Sequence, residues 1–335
     1  MAEHVTVLGS GSWGTALAIQ YARAGTQVRL WGRDKALLES MHSERVNERY
    51  LPGAPFPYNL FVVTEWEAAL EGSTNVLVSI PSHAFRSILQ RIAETVSDPA
   101  ALNLCWATKG LELSTGLLPH QVVREVLPDC QRYAVLSGPT FAKEVGKGLP
   151  TAITVAASTN EFAEVISNKI TSPEFRVYTS DDIVGVEVGG AVKNVLAIGA
   201  GLSDGLGFGA NARVALINRG LIEMSRLGVA MGAKLDTFMG LAGMGDLVLT
   251  CTDNQSRNRR MGLALASGKS VAEAEEEIQQ VVEGVAAAKS VHEQALKVGV
   301  ELPIIEQIYR VVIEGVDPRD AVQALLSRNT GSEID

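Results

Sequence analysis

A glycine-rich turn near the start of the chain constrains the fold more than any other feature. An apolar run at residues 5–8 leads directly into a G-x-G-x-x-G motif at residues 9–14, and a helical pattern and a second apolar run at 28–31 follow. Glycines at these spacings permit a tight turn and let a pyrophosphate approach the exposed N–H groups of the next helix. The order of strand, turn, helix and strand predicts dinucleotide binding, and a purely structural turn is the alternative. The cofactor-binding candidates in this turn are Gly9, Gly11, Ser12, Trp13 and Gly14.

The end of the second apolar run bears on the choice of cofactor. NAD-selective sites usually place an acidic residue at this point, but the sequence has Gly32 followed by Arg33. Arg33 is placed to meet the 2′-phosphate of NADP, whereas Asp34 could still reach a ribose hydroxyl. We therefore expect a preference for NADPH/NADP with some use of NADH/NAD. The alternative is that Arg33 is an ordinary solvated charge.

Apolar runs and helical patterns alternate through the first half of the chain, and only helical patterns follow. The apolar runs lie at residues 5–8, 28–31, 60–63, 76–80, 102–107, 133–137, 151–156 and 176–179. The later helical patterns lie near 184–202, 211–228, 284–298, 303–314 and 318–327. The alternation predicts an α/β domain over residues 1–180 with a doubly wound, mainly parallel sheet. An all-α C-terminal domain is expected over residues 181–330.

Composition narrows the classes of partner. With 29 basic and 38 acidic residues the net charge is −9, which gives no overall attraction to nucleic acid. The apolar stretch at residues 189–202 carries Lys193 and is too short to cross a bilayer, so it predicts a buried helix and no membrane insertion. The strand pattern starts almost at once, which leaves no room for an export signal and favours the cytoplasm. Three isolated cysteines and five scattered histidines predict neither a disulfide framework nor a metal site.

Lys193 is the leading candidate for a catalytic group. It stands on the predicted helix at 184–202, on a side otherwise made of Val186, Gly189, Gly190 and alanines. Small residues let a backbone or a ligand come close, and a desolvated lysine can act as an acid or base near neutral pH. It could also stabilise the alkoxide that forms when hydride reaches a carbonyl carbon. The alternative is a lysine that extends its ammonium group into solvent.

Other polar groups could hold an anionic substrate. The stretch at residues 254–260 puts three arginines beside Ser256 and Asn258 at a predicted helix start, where Arg257 could bind phosphate oxygens in a planar fork. Arg259 and Arg260 are expected to be solvated charges. Asp246 follows a glycine-rich stretch and could orient a substrate hydroxyl or the lysine, or cap a helix.

Two loops after predicted strands supply further candidates. Lys109 follows the fifth apolar run, and Gly138 and Thr140 follow the sixth. Open α/β sheets bind ligands beyond the carboxyl ends of their strands, so these residues are placed to meet a ligand. Either loop could instead be a plain turn.

Several long motifs, in order along the chain, resemble bacterial NAD(P)-dependent glycerol-3-phosphate dehydrogenase. They occupy residues 9–14, 107–112, 136–144, 185–194, 201–211, 240–260 and 281–284. The resemblance covers nearly the whole chain. It implies a Rossmann-type N-terminal domain, a helical C-terminal domain, and interconversion of dihydroxyacetone phosphate and glycerol 3-phosphate for phospholipid synthesis. A homodimer is also expected.

The resemblance also implies residue roles. Lys193 would be the proton donor or acceptor. Substrate contacts would come from Lys109, Gly138, Thr140, Lys193, Asp246, Ser256, Arg257 and Asn258. The dinucleotide would meet Ser12, Trp13, Arg33, Lys109, Ala142, Arg257, Val281 and Glu283. The family commonly has serine at position 140 and histidine at position 34, so Thr140 keeps the hydroxyl while Asp34 weakens the case for NADP.

Two other functions are compatible with these patterns. One is a different two-domain reductase that acts on a β-hydroxy acid or a sugar phosphate. The other is a dinucleotide-binding redox sensor without catalysis, for which the combination of Lys193, Asp246 and Arg257 would have no purpose.

Overall fold

The computed structural model describes residues 4–328, which form two compact units. The first unit runs to Thr108 and resumes over Pro119–Ile183. The second takes Lys109–Leu118 and continues from Val184. Nothing in the sequence pattern indicated that residues 109–118 would group with the second unit. Residues 1–3 and 329–330 of the two expected domains lie outside the described residues.

The first unit is built on an eight-stranded sheet, as counted over residues 4–328. The strands are β1 (His4–Leu8), β2 (Gln27–Trp31), β3 (Leu60–Val62), β4 (Asn75–Val78), β5 (Asn103–Trp106), β6 (Arg132–Ser137), β7 (Thr151–Ala157) and β8 (Phe175–Ser180). Their order is β3-β2-β1-β4-β5-β6-β7-β8, and every neighbouring pair is parallel except β6 with β7. The expected doubly wound, mainly parallel sheet is confirmed.

The register of the central strands explains why they are so apolar. Val5 of β1 lies beside Val28 of β2 on one side and Asn75 of β4 on the other. All five residues of β1 are buried, because a parallel strand in the middle of a sheet is covered on both faces. The helices of this unit are α1 (Ser12–Arg23), α2 (Lys35–Glu44), α3 (Trp66–Leu70), α4 (Phe85–Thr95), α5 (Pro119–Val126), α6 (Ala142–Lys147) and α7 (Asn160–Ile170). Short 3-10 turns lie at Ser82–Ala84 and Pro99–Ala101.

The second unit is helical and is organised around α8 (Ile183–Gly205). This helix has 23 residues and is apolar enough to cross a membrane by length and composition. The expectation that it would be too short was therefore wrong, because the helix extends beyond the apolar stretch at both ends. However, 89% of its most apolar window is buried inside the protein, so it is the core helix that the sequence predicted. Its valines, leucines and isoleucine form the centre of a hydrophobic cluster.

The remaining helices of the second unit pack around this core. They are α9 (Gly209–Ala230), α10 (Asp246–Thr252), α11 (Arg257–Ala266), α12 (Val271–Ile278), α13 (Glu283–Val298), α14 (Pro303–Ile313) and α15 (Pro318–Leu326). A 3-10 turn at Leu235–Met239 and a π-helical turn at Leu241–Gly245 precede α10. The five predicted helices are confirmed, and the predicted helix start near residue 257 is confirmed by α11.

Candidate active site

The glycine turn, residues 9–14, has a backbone that only glycine fits at two positions. Gly9 has φ +128°, and a Cβ there would meet the carbonyl oxygen of Ser79 at 2.1 Å. A Cβ on Gly14 would meet the carbonyl oxygen of Gly9 at 1.9 Å. The N–H of Gly9 also donates to the carbonyl of Trp31 at 2.8 Å. The turn is therefore locked between β1, β2 and the end of β4.

The outer side of the same turn is open. Gly11 is exposed, and a Cβ on it would meet nothing within 4 Å. Ser12 begins α1, so the first backbone N–H groups of the helix point out of the turn. The indole Nε1 of Trp13 is buried and has no hydrogen-bond partner among residues 4–328. Open backbone donors and a spare indole donor fit an anionic dinucleotide.

One supporting residue of this turn was not predicted. Asn47 is fully buried, and its Nδ2 donates to the carbonyl of Ser10 at 2.9 Å and to Oγ1 of Thr15 at 2.8 Å. These two hydrogen bonds from its side chain hold the turn against the start of α1. Asn47 lies 37 residues from Ser10 in sequence, and no local motif indicated this contact.

The end of β2 shows why the usual acidic residue is missing. A Cβ on Gly32 would meet Oγ of Ser10 at 2.1 Å, so a carboxylate side chain does not fit at this position. Arg33 is exposed. Asp34 accepts from the N–H of Leu37 as the cap of α2 and pairs with Arg49 at 3.2 Å. The carboxylate that was considered for a ribose hydroxyl is thus already engaged.

The loop after β6 carries Gly138, Thr140 and Ala142. Gly138 has φ +147°, and a Cβ on it would lie 3.1 Å from the Cα of Ile153. Oγ1 of Thr140 donates to the carbonyl of Gly138 at 3.2 Å, and Ala142 begins α6. Oγ of Ser137 is buried without a hydrogen-bond partner in the described part of the chain. The structure brings these residues together at the carboxyl end of β6, as the sequence predicted.

Lys193 lies in the interior of the second unit, with only 7% of its surface exposed. Its Nζ donates to Oδ1 of Asp246 and to Oγ1 of Thr250, the latter at 3.1 Å. Nζ of Lys109 donates to the other carboxylate oxygen of Asp246 at 2.6 Å. We call Lys109, Lys193, Asp246 and Thr250 the lysine cluster. The alternative of a lysine extended into solvent is wrong, because small neighbours leave the ammonium group enclosed.

Close backbone packing creates this enclosure. A Cβ on Gly189 would meet the carbonyl oxygen of Ala242 at 2.5 Å, so the π-helical turn lies directly against α8. That turn leads into Asp246, the first residue of α10. Thr250 stands one helical turn later and donates from Oγ1 to the carbonyl of Asp246 at 2.6 Å. The glycines thus bring α10 close enough for its first carboxylate to reach the lysine.

The electrostatics of the lysine cluster follow from burial. Burial lowers the pKa of Lys193 to about 7; the Asp246 carboxylate opposes this shift and the Lys109 ammonium adds to it. Burial alone would raise the pKa of Asp246, but the ammonium groups of Lys109 and Lys193 outweigh it and hold this pKa below its ordinary value. The arrangement keeps a carboxylate charged in the interior. It also leaves an amine that can exchange a proton near neutral pH.

Ser256 and Asn258, at the start of α11, make different hydrogen bonds. Ser256 caps the helix, because its Oγ accepts from the N–H of Arg259 at 3.2 Å. Nδ2 of Asn258 donates to Oδ1 of Asn194 at 2.8 Å, and its Oδ1 accepts from the N–H of Gly284 at 2.9 Å. Asn258 therefore ties the start of α11 to the residue beside Lys193. Asn194 was not predicted, although its place next to Lys193 was a usable signal.

The arginines of α11 do not behave alike. Arg259 is buried and donates to the carbonyl of Cys251, to Asn254 and to Asp204. The expectation that it would be a solvated charge was wrong, because Asp204 at the end of α8 supplies a largely buried counter-charge. Arg257 is half-buried; burial lowers its pKa, and the Glu283 carboxylate opposes the shift. Val281 is 49% exposed in the loop before α13, which begins at Glu283.

The sequence matches known family models over both halves of the chain. Family models described as the N-terminus and the C-terminus of NAD-dependent glycerol-3-phosphate dehydrogenase match residues 4–163 and 182–323. The chain belongs to the NAD-dependent glycerol-3-phosphate dehydrogenase family. The family predicted from the sequence is confirmed, and so are an oxidoreductase of the NAD(P)-dependent class and the Rossmann-type fold. Within residues 4–328, no group of three or more His, Cys, Asp and Glu residues could hold a metal ion.

Relatives in this family are similar over their full length. "Glycerol-3-phosphate dehydrogenase [NAD(P)+]" of Aliivibrio fischeri is 54% identical over 330 residues, which are 98% of this chain and 96% of the relative. The enzyme of the same name from Shewanella frigidimarina is 54% identical and covers 99% and 98% of the two chains. The crystal structure of glycerol-3-phosphate dehydrogenase from Coxiella burnetii has a TM-score of 0.93 at 46% identity, covering 98% and 99%.

Proposed function

We propose that the chain reduces dihydroxyacetone phosphate to sn-glycerol 3-phosphate with NAD(P)H, reversibly, and so supplies glycerophospholipid synthesis. One observation carries the proposal: in a chain of this dehydrogenase family, the Lys193 amine is buried and held by the Asp246 carboxylate and the Thr250 hydroxyl, and burial lowers its pKa. A ketone reductase needs such a proton donor where the alkoxide forms. A dinucleotide-binding sensor has no use for it.

Lys193 performs the acid step in this proposal. When bound, NAD(P)H would supply a hydride, which forms the new C–H bond at C2 of the ketone as its C=O π bond breaks. The ammonium group of Lys193 stabilises the alkoxide and transfers one proton to it, which leaves a hydroxyl and a neutral amine. Asp246 holds that amine through Oδ1 while its Oδ2 holds Lys109, so the carboxylate positions two cations at once. In the reverse direction the neutral amine takes the proton back.

The remaining substrate contacts stay predictions. Arg257 would bind the phosphate, with its guanidinium half-buried at the start of α11. Lys109, Gly138, Thr140 and Ser256 would complete the contacts, Ser256 from its place as the helix cap. Because both ends of the Asn258 amide are hydrogen-bonded within the protein, we assign it chiefly to positioning the start of α11.

For the cofactor, we propose that the glycine turn would hold the pyrophosphate through backbone donors. Gly9, Gly11, Ser12, Trp13 and Gly14 form this part. The other proposed contacts are Lys109, Ala142, Arg257, Val281 and Glu283.

The preference for NADPH rests on Arg33, whose exposed guanidinium follows the glycine that excludes a carboxylate. Arg33→Gln should raise the Michaelis constant for NADPH about tenfold and leave that for NADH nearly unchanged, since one charge-assisted contact is lost. Equal effects on both cofactors would refute the assignment.

A substrate screen tests the proposed function. Oxidation of NADPH should be rapid with dihydroxyacetone phosphate and negligible with unphosphorylated dihydroxyacetone, β-keto acids and ketose phosphates of longer chain. Faster turnover of a keto acid or of a sugar phosphate would favour the alternative reductase. Intact NADPH binding without turnover of any ketone would favour the sensor.

We also propose a cytoplasmic homodimer. Three cysteines, Cys105, Cys130 and Cys251, are free and buried, which suits a reducing compartment. Exposed apolar side chains at Phe208 and Val214, 46% and 63% exposed, support a contact between copies along α9. Analytical ultracentrifugation at micromolar concentration should give twice the chain mass. A monomer would contradict the proposal.

A further inference from the structure

The first turn of α11 carries Arg257 and Arg260, which lack the hydrogen-bond partners of Arg259. Arg259 is paired with a carboxylate, an amide and a carbonyl. By contrast, Nε of Arg260 has no hydrogen-bond partner among residues 4–328, and Arg257 is attracted only by the charge of Glu283 among the causes that shift its pKa. Arg260 was expected to be solvated, but its Nε is buried and has no acceptor. A buried N–H group without an acceptor is costly, so this one indicates a ligand that supplies the acceptor.

The side chains of Arg257 and Arg260 lie on one face of the helix. Residues three apart on a helix are neighbours, with Cβ atoms about 5–6 Å apart. After burial and the opposing Glu283 carboxylate, the charge of Arg260 is a further cause that lowers the pKa of Arg257. Two cations therefore repel each other in a half-buried place, where Glu283 supplies one negative charge. A dianion would relieve the repulsion.

The position of this pair favours the substrate over the cofactor. Asn258, between the two arginines in sequence, donates to Asn194 at 2.8 Å, and Asn194 directly follows Lys193. The start of α11 is thus fixed next to the helical turn that carries the proton donor. A three-carbon substrate whose carbonyl oxygen meets Lys193 has its phosphate only a few bonds away. A site for that phosphate has to lie near the lysine.

We propose that Arg260 is a second phosphate-binding residue, which together with Arg257 forms a two-arginine site for the phosphate monoester of the substrate. This inference rests on the proposed function and adds a residue to it. A phosphate monoester carries close to two negative charges at neutral pH and has three acceptor oxygens. Two planar guanidinium groups match both the charge and the number of acceptors.

Binding measurements on the whole enzyme test the site without relying on turnover. The variants are Arg260→Gln, which removes the charge, and Arg260→Lys, which keeps the charge but loses the planar donors. Arg310→Gln is the matched control, because Arg310 is also half-buried and its guanidinium pairs with its helix neighbours Gln307 and Glu314. The probes are inorganic phosphate, glycerol 3-phosphate and NADPH, each titrated by calorimetry.

Arg260→Gln should weaken the binding of phosphate and of glycerol 3-phosphate about tenfold or more, since charge-assisted hydrogen bonds are lost. NADPH binding should change less than twofold. In turnover the Michaelis constant for dihydroxyacetone phosphate should rise by a similar factor while kcat changes little. Arg260→Lys should fall between wild type and Arg260→Gln, and Arg310→Gln should match wild type.

Three results would overturn the assignment. One is unchanged phosphate binding in Arg260→Gln, and another is a loss of NADPH affinity as large as the loss of phosphate affinity. The third applies if Arg260→Gln does not fold: Arg260→Lys would then bind phosphate with the same affinity as wild type. Should wild type bind phosphate but fail to reduce dihydroxyacetone phosphate, the loss of phosphate binding in Arg260→Gln would still support the two-arginine site while the proposed function failed.

Discussion

The glycine turn and the lysine cluster both interact with charged groups, but one does so through the backbone and the other through ionisable side chains. The turn uses backbone N–H groups and no ionisable side chain. The conformation of Gly9 and Gly14 is fixed by backbone contacts with each other and with the ends of the neighbouring strands β2 and β4. The lysine cluster brings three ionisable side chains together, two of them buried, with Asp246 separated from its two lysines by 53 and 137 residues. Binding an anion needs only oriented dipoles, whereas moving a proton needs a group that titrates.

This difference predicts how each region fails. A fault in the glycine turn should act through backbone fit and cofactor affinity. A fault in the lysine cluster should act through uncompensated charge, and therefore on rate, on pH dependence and on stability together.

The largest effect is expected from Lys193→Ala. It removes the proton donor, and general acid catalysis contributes about 10²- to 10⁴-fold, so kcat should fall by that factor. NADPH affinity should change little. Steady-state kinetics with dihydroxyacetone phosphate and a cofactor titration check both points. Near-normal turnover would remove Lys193 from the role, and Lys289→Ala, an exposed lysine on α13, is the control.

Asp246→Asn should come next, because it leaves the buried Lys193 ammonium and the partly buried Lys109 ammonium without their shared counter-charge. Loss of one partner from a buried ion pair costs about 3–5 kcal/mol, and we expect a loss of unfolding free energy near the lower end because Lys193 can give up its proton. Denaturant unfolding measures this loss. Asp236→Asn, at an exposed site, should unfold like wild type. Equal stability of the two variants would show that the cluster is not an interior charge network.

Two alanine substitutions in the glycine turn should have smaller effects. Together they distinguish the fit of the backbone within the turn from the access of the cofactor to it. Gly14→Ala places a Cβ at 1.9 Å from the carbonyl oxygen of Gly9, so the turn must shift, with a loss of about 1–3 kcal/mol in unfolding free energy. Gly11→Ala meets nothing within 4 Å and should leave stability unchanged while still weakening NADPH binding by obstructing its approach. Thermal unfolding and NADPH titration give both values. Unaltered NADPH affinity in Gly11→Ala would place the pyrophosphate elsewhere.

Much of the first unit could be predicted from the sequence because its signals are local. The observed strand ends lie within two residues of the apolar runs, since a buried parallel strand is a continuous apolar run bounded by turns. The helix α8 was longer than its apolar stretch suggested, because glycine and acidic residues continue a helix that tertiary contacts already hold.

The sequence could predict which residues belong to the candidate site but not which of them contact one another. Lys193 was singled out by its small neighbours, yet its partners came from packing over long sequence separations. Arg257, Arg259 and Arg260 are nearly adjacent and look equivalent in sequence, but only Arg259 meets the Asp204 carboxylate. Thr250 stands four residues after Asp246 and could have been found from helical spacing alone.

The pH dependence of kcat/KM for dihydroxyacetone phosphate reduction tests the central claim most directly. Lys193 must be protonated to act as the acid, and its pKa is lowered to about 7. The rate should therefore fall about tenfold per pH unit above that value, and Lys193→Ala should lose this limb. Ionisation of the substrate phosphate near pH 6 acts in the opposite direction, so it cannot imitate the fall. A wild-type profile that stays flat from neutral pH to about pH 9, or the same limb in Lys193→Ala, would contradict the account.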